Sequence, residues 1–314
     1  MDNPLVQRMR GFGATIFDEM TALARRHDAI NLGQGAPDTD GPPEILDAAR
    51  AAIAGGVNQY PPGRGFPDLR LAIAEHQRRF WGMDLDPETE VVVSGGATEA
   101  VTAALLALCE PGDEVVALDP TYDSYAAAIT MAQARLVPVT LRAPDFALDL
   151  EELRAAVTDR TRLLLINSPH NPTGHVLTAR EREGIARVAV EHDLLVVTDE
   201  VYEHLTFDHP AGSSSHQPLA TLPGMAERTV TISSAGKTFS VTGWKVGWLC
   251  GPAPLMTAIM TTKQFLTYAN AAPLQPAVAV GLRLPDGFFE DFRLGLQAQR
   301  DLLVTGLADT GFEV

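Results

Sequence analysis

The chain has 314 residues, 46% of them apolar and 20% charged, which supports a real core and excludes disordered, collagen-like and coiled-coil chains. That length suits one large domain or two unequal ones. Its 40 acidic against 24 basic residues give a net charge of −16, which repels polyanions, so neither nucleic acid nor an anionic membrane is an expected partner.

The N-terminus, MDNPLVQRMRGFG, has no basic stretch followed by an apolar one, so no secretory signal is read there. No run approaches the ~18 apolar residues of a membrane helix. Cys109 and Cys250 lie in apolar surroundings and read as buried reduced thiols, with no cysteine metal site. The expectation is a cytoplasmic protein.

Two Gly/Pro-rich connections, NLGQGAPDTDGPP (31–43) and YPPGRGFP (60–67), precede a regular alternation. Apolar strands are expected at 91–93, 115–118, 163–166, 194–197 and 229–232, each apolar on successive residues and therefore buried on both faces. Helices are expected between them at 97–110, 124–134, 150–157 and 178–193, the last opened by a Thr178/Glu181 capping box. The alternation predicts an α/β fold: a three-layer α/β/α large domain with a mostly parallel sheet. From Phe288 an amphipathic helix runs to near Gly306, and Thr310–Val314 reads as the start of another strand.

In such sheets ligands gather at the carboxyl ends of strands, and each strand here opens into polar residues that a core does not need. SGGATE (94–99) leads a small-residue turn into a helix N-terminus, an anion site if it is more than a tight turn. NSPHNPTG (167–174) is a rigid turn that presents Asn171. TDEVYEH (198–204) puts Asp199 at the tip of a buried strand, where a carboxylate is costly unless it meets a cation or strong donors. Glu200 and His204, four apart, could be a metal pair, but no further ligand spacing supports one and a solvated face is the better reading. SSAGKT (233–238) contains a Gly-Lys-Thr, yet Thr231 stands where a phosphate-binding loop needs its first glycine. Lys237 is left as a nucleophilic amine, with Ser234 and Lys245 nearby. A phosphate cradle, an asparagine, a strand-end aspartate and a lysine together suit pyridoxal phosphate, which has a phosphate, a ring nitrogen and an aldehyde.

Seven segments in order, NLGQGAPD, NQYPPGRGFPDLR, SGGATEA, DPTYDSY, NSPHNPTG, TDEVYEHLTFD and SSAGKTFSVTGWKVGW, carry a resemblance to class I/II aminotransferases of fold type I. Within them the chain is similar to the kynurenine aminotransferase, glutamine transaminase K and methionine aminotransferase branch, and to actinobacterial N-succinyldiaminopimelate aminotransferases. The resemblance implies amino transfer between an amino acid and a 2-oxo acid. Cysteine-S-conjugate β-elimination on the same cofactor is the alternative.

By the same resemblance Lys237 would carry the cofactor and move the proton, Asp199 would pair with the ring nitrogen, and Asn171 and Tyr202 would bond the phenolic oxygen. Tyr122 would stack on the ring. Ala97, Thr98, Ser234 and Lys245 would hold the phosphate, while Gly35 and Asn171 would lie near the substrate. Tyr60 would reach the phosphate in a neighbouring subunit, which implies a homodimer. No metal is expected. The implied domains are an N-terminal segment of the small domain (1–36), the large cofactor-binding domain (37–285) and the start of an incomplete small α/β domain (286–314). Family members continue for several dozen residues past the point matching Val314, through an arginine that clamps the substrate carboxylate. A non-catalytic cofactor-binding remnant is therefore a further reading.

Overall fold

The computed structural model describes residues 4–35, 37–210, 214–308 and 310–311. Its strands are β1 (Val91–Ser94), β2 (Glu114–Asp119), β3 (Arg135–Thr140), β4 (Thr161–Asn167), β5 (Leu195–Asp199), β6 (Thr229–Ser234) and β7 (Gly247–Cys250). The helices are α1 (Ile16–His27), α2 (Pro43–Ala54), α3 (Pro67–Trp81), α4 (Gly96–Leu108), α5 (Asp123–Met131), α6 (Leu150–Ala156), α7 (Ala179–Glu191), α8 (Ala235–Thr238), α9 (Ala253–Lys263), α10 (Gln275–Leu282) and α11 (Asp286–Leu307).

The seven strands form one sheet in the order β1-β7-β6-β5-β4-β2-β3. Strands β2 to β6 are parallel to their neighbours among themselves, and β7 runs antiparallel to both β1 and β6. The expected α/β class with a mostly parallel sheet is the fold observed. Because side chains alternate across a strand, Leu163 and Leu165 of β4 join the cluster under α4, α5 and α9, while Leu164 and Ile166 join the one under α6 and α7. A third cluster packs α2, α3 and α10 against Val91, Val93 and Trp248. Each face of the sheet is thus covered by helices, which is why its strands need no polar side.

Helix ends follow local chemistry. The Thr178/Glu181 capping box is present in full at the start of α7. Helix α3 stops at Gly82, which caps it in the left-handed region at φ 69°.

Two strands escape the sequence pattern. Strand β3 carries Pro138 in its middle, which argues against a central strand; it sits at the sheet edge, where a missing N–H costs no ladder bond. Strand β7 has only four residues, GWLC, and runs against the parallel alternation that made the others recognisable. The strand expected at Thr310–Val314 falls largely outside the described residues, and Thr310 and Gly311 form a turn. Among the described residues no helix is long and apolar enough to cross a membrane.

Candidate active site

The sheet register gathers the polar strand ends. Asn167 at the end of β4 lies beside Asp199 at the end of β5, and Asp199 lies beside Ile232 of β6. Strand β6 runs on to Ser234, which faces Gly247. Since β7 is antiparallel, its first residue meets the last residues of β1 and β6, and Ser94 also pairs with Gly247. That reversal brings Lys245, two residues upstream of β7, to the same rim.

Above this rim opens a cleft of about 670 Å³. Of the sequence-derived residues, Gly35, Ala97, Thr98, Tyr122, Asn171, Asp199, Tyr202, Ser234, Lys237 and Lys245 all line it. Tyr60 does not. It lies on the exposed surface, edge-on to Tyr268 with ring centroids 5.7 Å apart.

At one end of the cleft is the N-terminus of α4, whose first-turn N–H groups lack intrahelical partners and carry the positive end of the dipole. Gly96 opens that helix at φ +80°, and a Cβ there would stand 3.1 Å from Lys245 Nζ. The glycine therefore keeps a space between an ammonium and helix N–H groups, with Ser234 on the same wall. This donor set is built for a doubly charged anion.

At the other end is Asp199, 6% exposed. Its Oδ2 accepts from the Tyr125 hydroxyl at 2.7 Å and its Oδ1 from the Val201 N–H at 3.3 Å. Burial pushes this carboxyl up to about 6; Tyr125 and Val201 pull it down, and the charge of Glu200 adds to the rise. No ion pair to Asp199 forms among the described residues, so the carboxylate stands ready for a positively charged partner in the cleft.

Lys237 is carried by α8, a single turn directly after β6. Its Nζ bonds the carbonyl oxygen of Gly35 at 3.4 Å and lies 5.8 Å from the centre of the Tyr202 ring. Burial lowers its pKa, which raises the share of free amine and hence its nucleophilicity. Asn171 Nδ2 donates to the Tyr202 hydroxyl at 3.3 Å. Burial, with the charge of Asp199 and nearby Tyr122, pushes the Tyr202 phenol up to about 12, and Asn171 partly offsets this. Tyr202 remains a neutral hydroxyl. An anion cradle, a nucleophilic amine, a neutral donor pair and an unpaired carboxylate fit the four functional ends of pyridoxal phosphate.

Sequence reasoning missed two residues. Tyr125 stands three residues after Tyr122, one helical turn on, and only the register of α5 could have pointed to it. Asn167 braces the rim: its Nδ2 donates to the Asp199 and Pro169 carbonyls, and its Oδ1 accepts the Asn171 N–H at 2.7 Å. The solvated face expected for Glu200 and His204 is not there. Residues 201–204 form a turn, and Glu200, 2% exposed, is bonded at 3.0 Å to His216.

Behind the rim, buried Glu203 accepts from Trp81 Nε1 and Ser233 Oγ, both at 2.6 Å, and from Gln77 Nε2 at 3.4 Å. Burial pushes its carboxyl up to about 7. His76 and His204 share an N···N hydrogen bond of 2.8 Å, and burial holds His76 down to about 3, so the pair is neutral. These two imidazoles and Glu203 have ligand atoms within 4.8 Å of one another. Each of the three side chains has a hydrogen-bond partner, although His76 Nδ1 and the Oε1 of adjoining Gln77 are buried without one, so the trio reads as a buried polar network.

The aminotransferase class I and II family pattern matches residues 27–314. The chain is 57% identical over 312 residues to a probable N-succinyldiaminopimelate aminotransferase of Mycobacterium tuberculosis, covering 98% of this chain and 77% of that protein. It is 38% identical over 315 residues to the methionine aminotransferase of Escherichia coli, covering 100% of this chain and 81% of that one. The solved N-succinyldiaminopimelate aminotransferase of M. tuberculosis superposes with a TM-score of 0.96 at 56% identity, covering 99% of this chain and 80% of that one.

Proposed function

The chain belongs to the class I and II aminotransferases, and from that premise we propose which of its residues carry the reaction and what they act on. It is a pyridoxal-phosphate-dependent enzyme that moves an amino group between an amino acid and a 2-oxo acid. β-Elimination and a purely binding remnant are not favoured by these relatives. The cofactor supplies an aldehyde for the substrate amine and a ring that takes up negative charge from the substrate α-carbon.

The proposed roles follow from the cleft. The N-terminus of α4, through Ala97 and Thr98, would hold the phosphate with Ser234 and Lys245. Lys237 would bind the aldehyde carbon and, once its amine is displaced, hold and move the proton at the substrate α-carbon. Asp199 would keep the ring nitrogen charged, its own charge strengthened by the low-dielectric wall. Asn171 and Tyr202 would donate to the phenolic oxygen, Tyr122 would cover the ring face, and Gly35 would lie beside the substrate. The placement of Lys237 and Asp199 on one cleft, from the ends of the adjacent strands β6 and β5, is the observation that carries this assignment. It is tested by borohydride reduction of the protein with pyridoxal phosphate and peptide mapping. The pyridoxyl label is expected on Lys237, and a label on Lys245 or Lys263 overturns the assignment.

For substrate, 57% identity along nearly the whole chain supports N-succinyldiaminopimelate as the amino compound. A donor panel that includes it and methionine tests this: methionine turnover without N-succinyldiaminopimelate turnover refutes it. The further proposals are a cytoplasmic homodimer in which Tyr60 reaches the partner's phosphate site, and domains divided at 1–36, 37–285 and 286–314. Exposed Tyr60, Tyr268 and Phe265 support the dimer, since apolar rings of this kind are common at subunit interfaces. Sedimentation of a 33.7 kDa monomer would refute it.

A further inference from the structure

Resting on the assignment of Asp199 to the cofactor's ring nitrogen, we propose that Tyr125 is the positioning residue for that carboxylate, its phenol fixing the orientation in which Asp199 meets the ring. Tyr125 is 3% exposed on the first turn of α5, and its hydroxyl donates to Asp199 Oδ2 at 2.7 Å. A carboxylate offers about four acceptor positions on two oxygens. Here one is taken on each oxygen, by Tyr125 and by the Val201 N–H, which fixes the carboxylate plane and leaves the others for the cleft.

Among the described residues, Tyr125 is the side chain that hydrogen-bonds the Asp199 carboxylate. Asn167, which lies beside Asp199 in the sheet, is committed to backbone groups through both its ends. Glu200 acts the opposite way, adding to the cost of the Asp199 charge, and the ionisable groups Tyr122 and Tyr202 are themselves raised by that charge. The Tyr125 hydrogen bond, with the Val201 N–H, works against burial to keep Asp199 ionised. The phenol itself, raised well above its ordinary range by burial and by Asp199, stays a donor throughout the working pH range. The same helical turn carries Tyr122, whose ring meets Tyr125 edge-on at 5.7 Å. The residue proposed to cover the ring and the residue that sets its acid therefore lie in contact at the start of one helix.

The test is a double-mutant cycle on the holoenzyme reconstituted with pyridoxal phosphate: Tyr125→Phe, Asp199→Asn and both together. It reads the pH midpoint of the bound cofactor's visible absorbance, and kcat and KM with the donor identified by the panel. Losing a hydrogen bond to a charged group should lower kcat by roughly tenfold or more, with KM within about twofold, and shift the absorbance midpoint. On the Asp199→Asn background the same change should cost less than about twofold, because a residue acting through the carboxylate has nothing left to act on. Replacing Tyr125 by 3-fluorotyrosine, a stronger donor of nearly the same shape, should move the midpoint in the opposite direction, and this variant serves if Tyr125→Phe does not fold. Equal losses in both backgrounds, or an unmoved midpoint in the folded variants, overturn the proposal. If Asp199→Asn lowers kcat and shifts the midpoint while Tyr125→Phe does neither, the tyrosine proposal falls alone. If Asp199→Asn also changes nothing, the ring-nitrogen assignment falls, and the tyrosine proposal with it.

Discussion

Helix α4 buries seven of its thirteen residues, whereas α11 buries two of twenty-two. The shorter one is made largely of Ala, Val and Leu, so its backbone lies close against β5, β6 and β7. Its N-terminus is thereby held rigidly over the strand ends, beside Lys245. Helix α11 is anchored by Phe289 within the aromatic cluster of Phe80, His76 and His204, by Arg79 on Asp286, and by Gln297 and Arg300 bonded to Asp208. Its distal turns present Leu302 and Leu303 at 76% and 56% exposure. The contrast teaches that helical periodicity alone does not measure how firmly a helix is held. The site is built at the end of the more deeply buried of the two helices.

Substitutions at either end of this contrast can break it. The largest expected effect is on the reaction: Lys237→Ala should lower turnover by about 10²–10⁴-fold, the range of a positioned acid–base group, read by single-turnover kinetics. Turnover within tenfold of the parent would remove Lys237 from the mechanism. Next, Leu105→Ala in α4 should cost ~2–5 kcal/mol in urea unfolding, because its fully buried side chain leaves a cavity. A cost under 1 kcal/mol would mean that α4 is not the rigid element described.

A smaller effect is expected at Glu203, which is bonded to Gln77 and Trp81 of α3 and Ser233 of β6. Its carboxyl is raised from 4.5 to about 7, so the folded chain holds this proton more tightly than the unfolded chain. Its contribution to stability is therefore fully present below pH 4.5 and lost as pH rises through 7. Glu203→Gln should flatten the pH dependence of unfolding across that window, as measured by chemical denaturation. A slope as steep as the parent's would place the titration elsewhere. The smallest effect is expected on α11, where Leu302→Ala should change stability by no more than ~0.5 kcal/mol, since its side chain is mostly in solvent. A larger loss would show that the distal turns are packed as firmly as α4.

Much of the site could be read before any fold was known. Residues 94–99, 167–174, 198–204 and 233–238 each follow an apolar run of strand length, and polar residues placed there have no structural reason to be so numerous. Ten of the eleven residues singled out do line one cleft. Glu200 and His204 were misread because spacing of four means one helix face only if the segment is helical, and residues 201–204 are a turn. The partner of Glu200 is His216, sixteen residues on, and no local pattern predicts such a pair.

The sequence by itself determined the layered α/β class and the residue types at the strand ends, because alternation and burial are periodic and local. It did not determine that β7 runs backwards into the sheet and so carries Lys245 to the rim, nor that Tyr125 reaches Asp199 across 74 residues of chain. Those placements depend on strand order and on the angle at which α5 meets the sheet. Such quantities are set by the packing of distant side chains, and only the folded molecule brings those together.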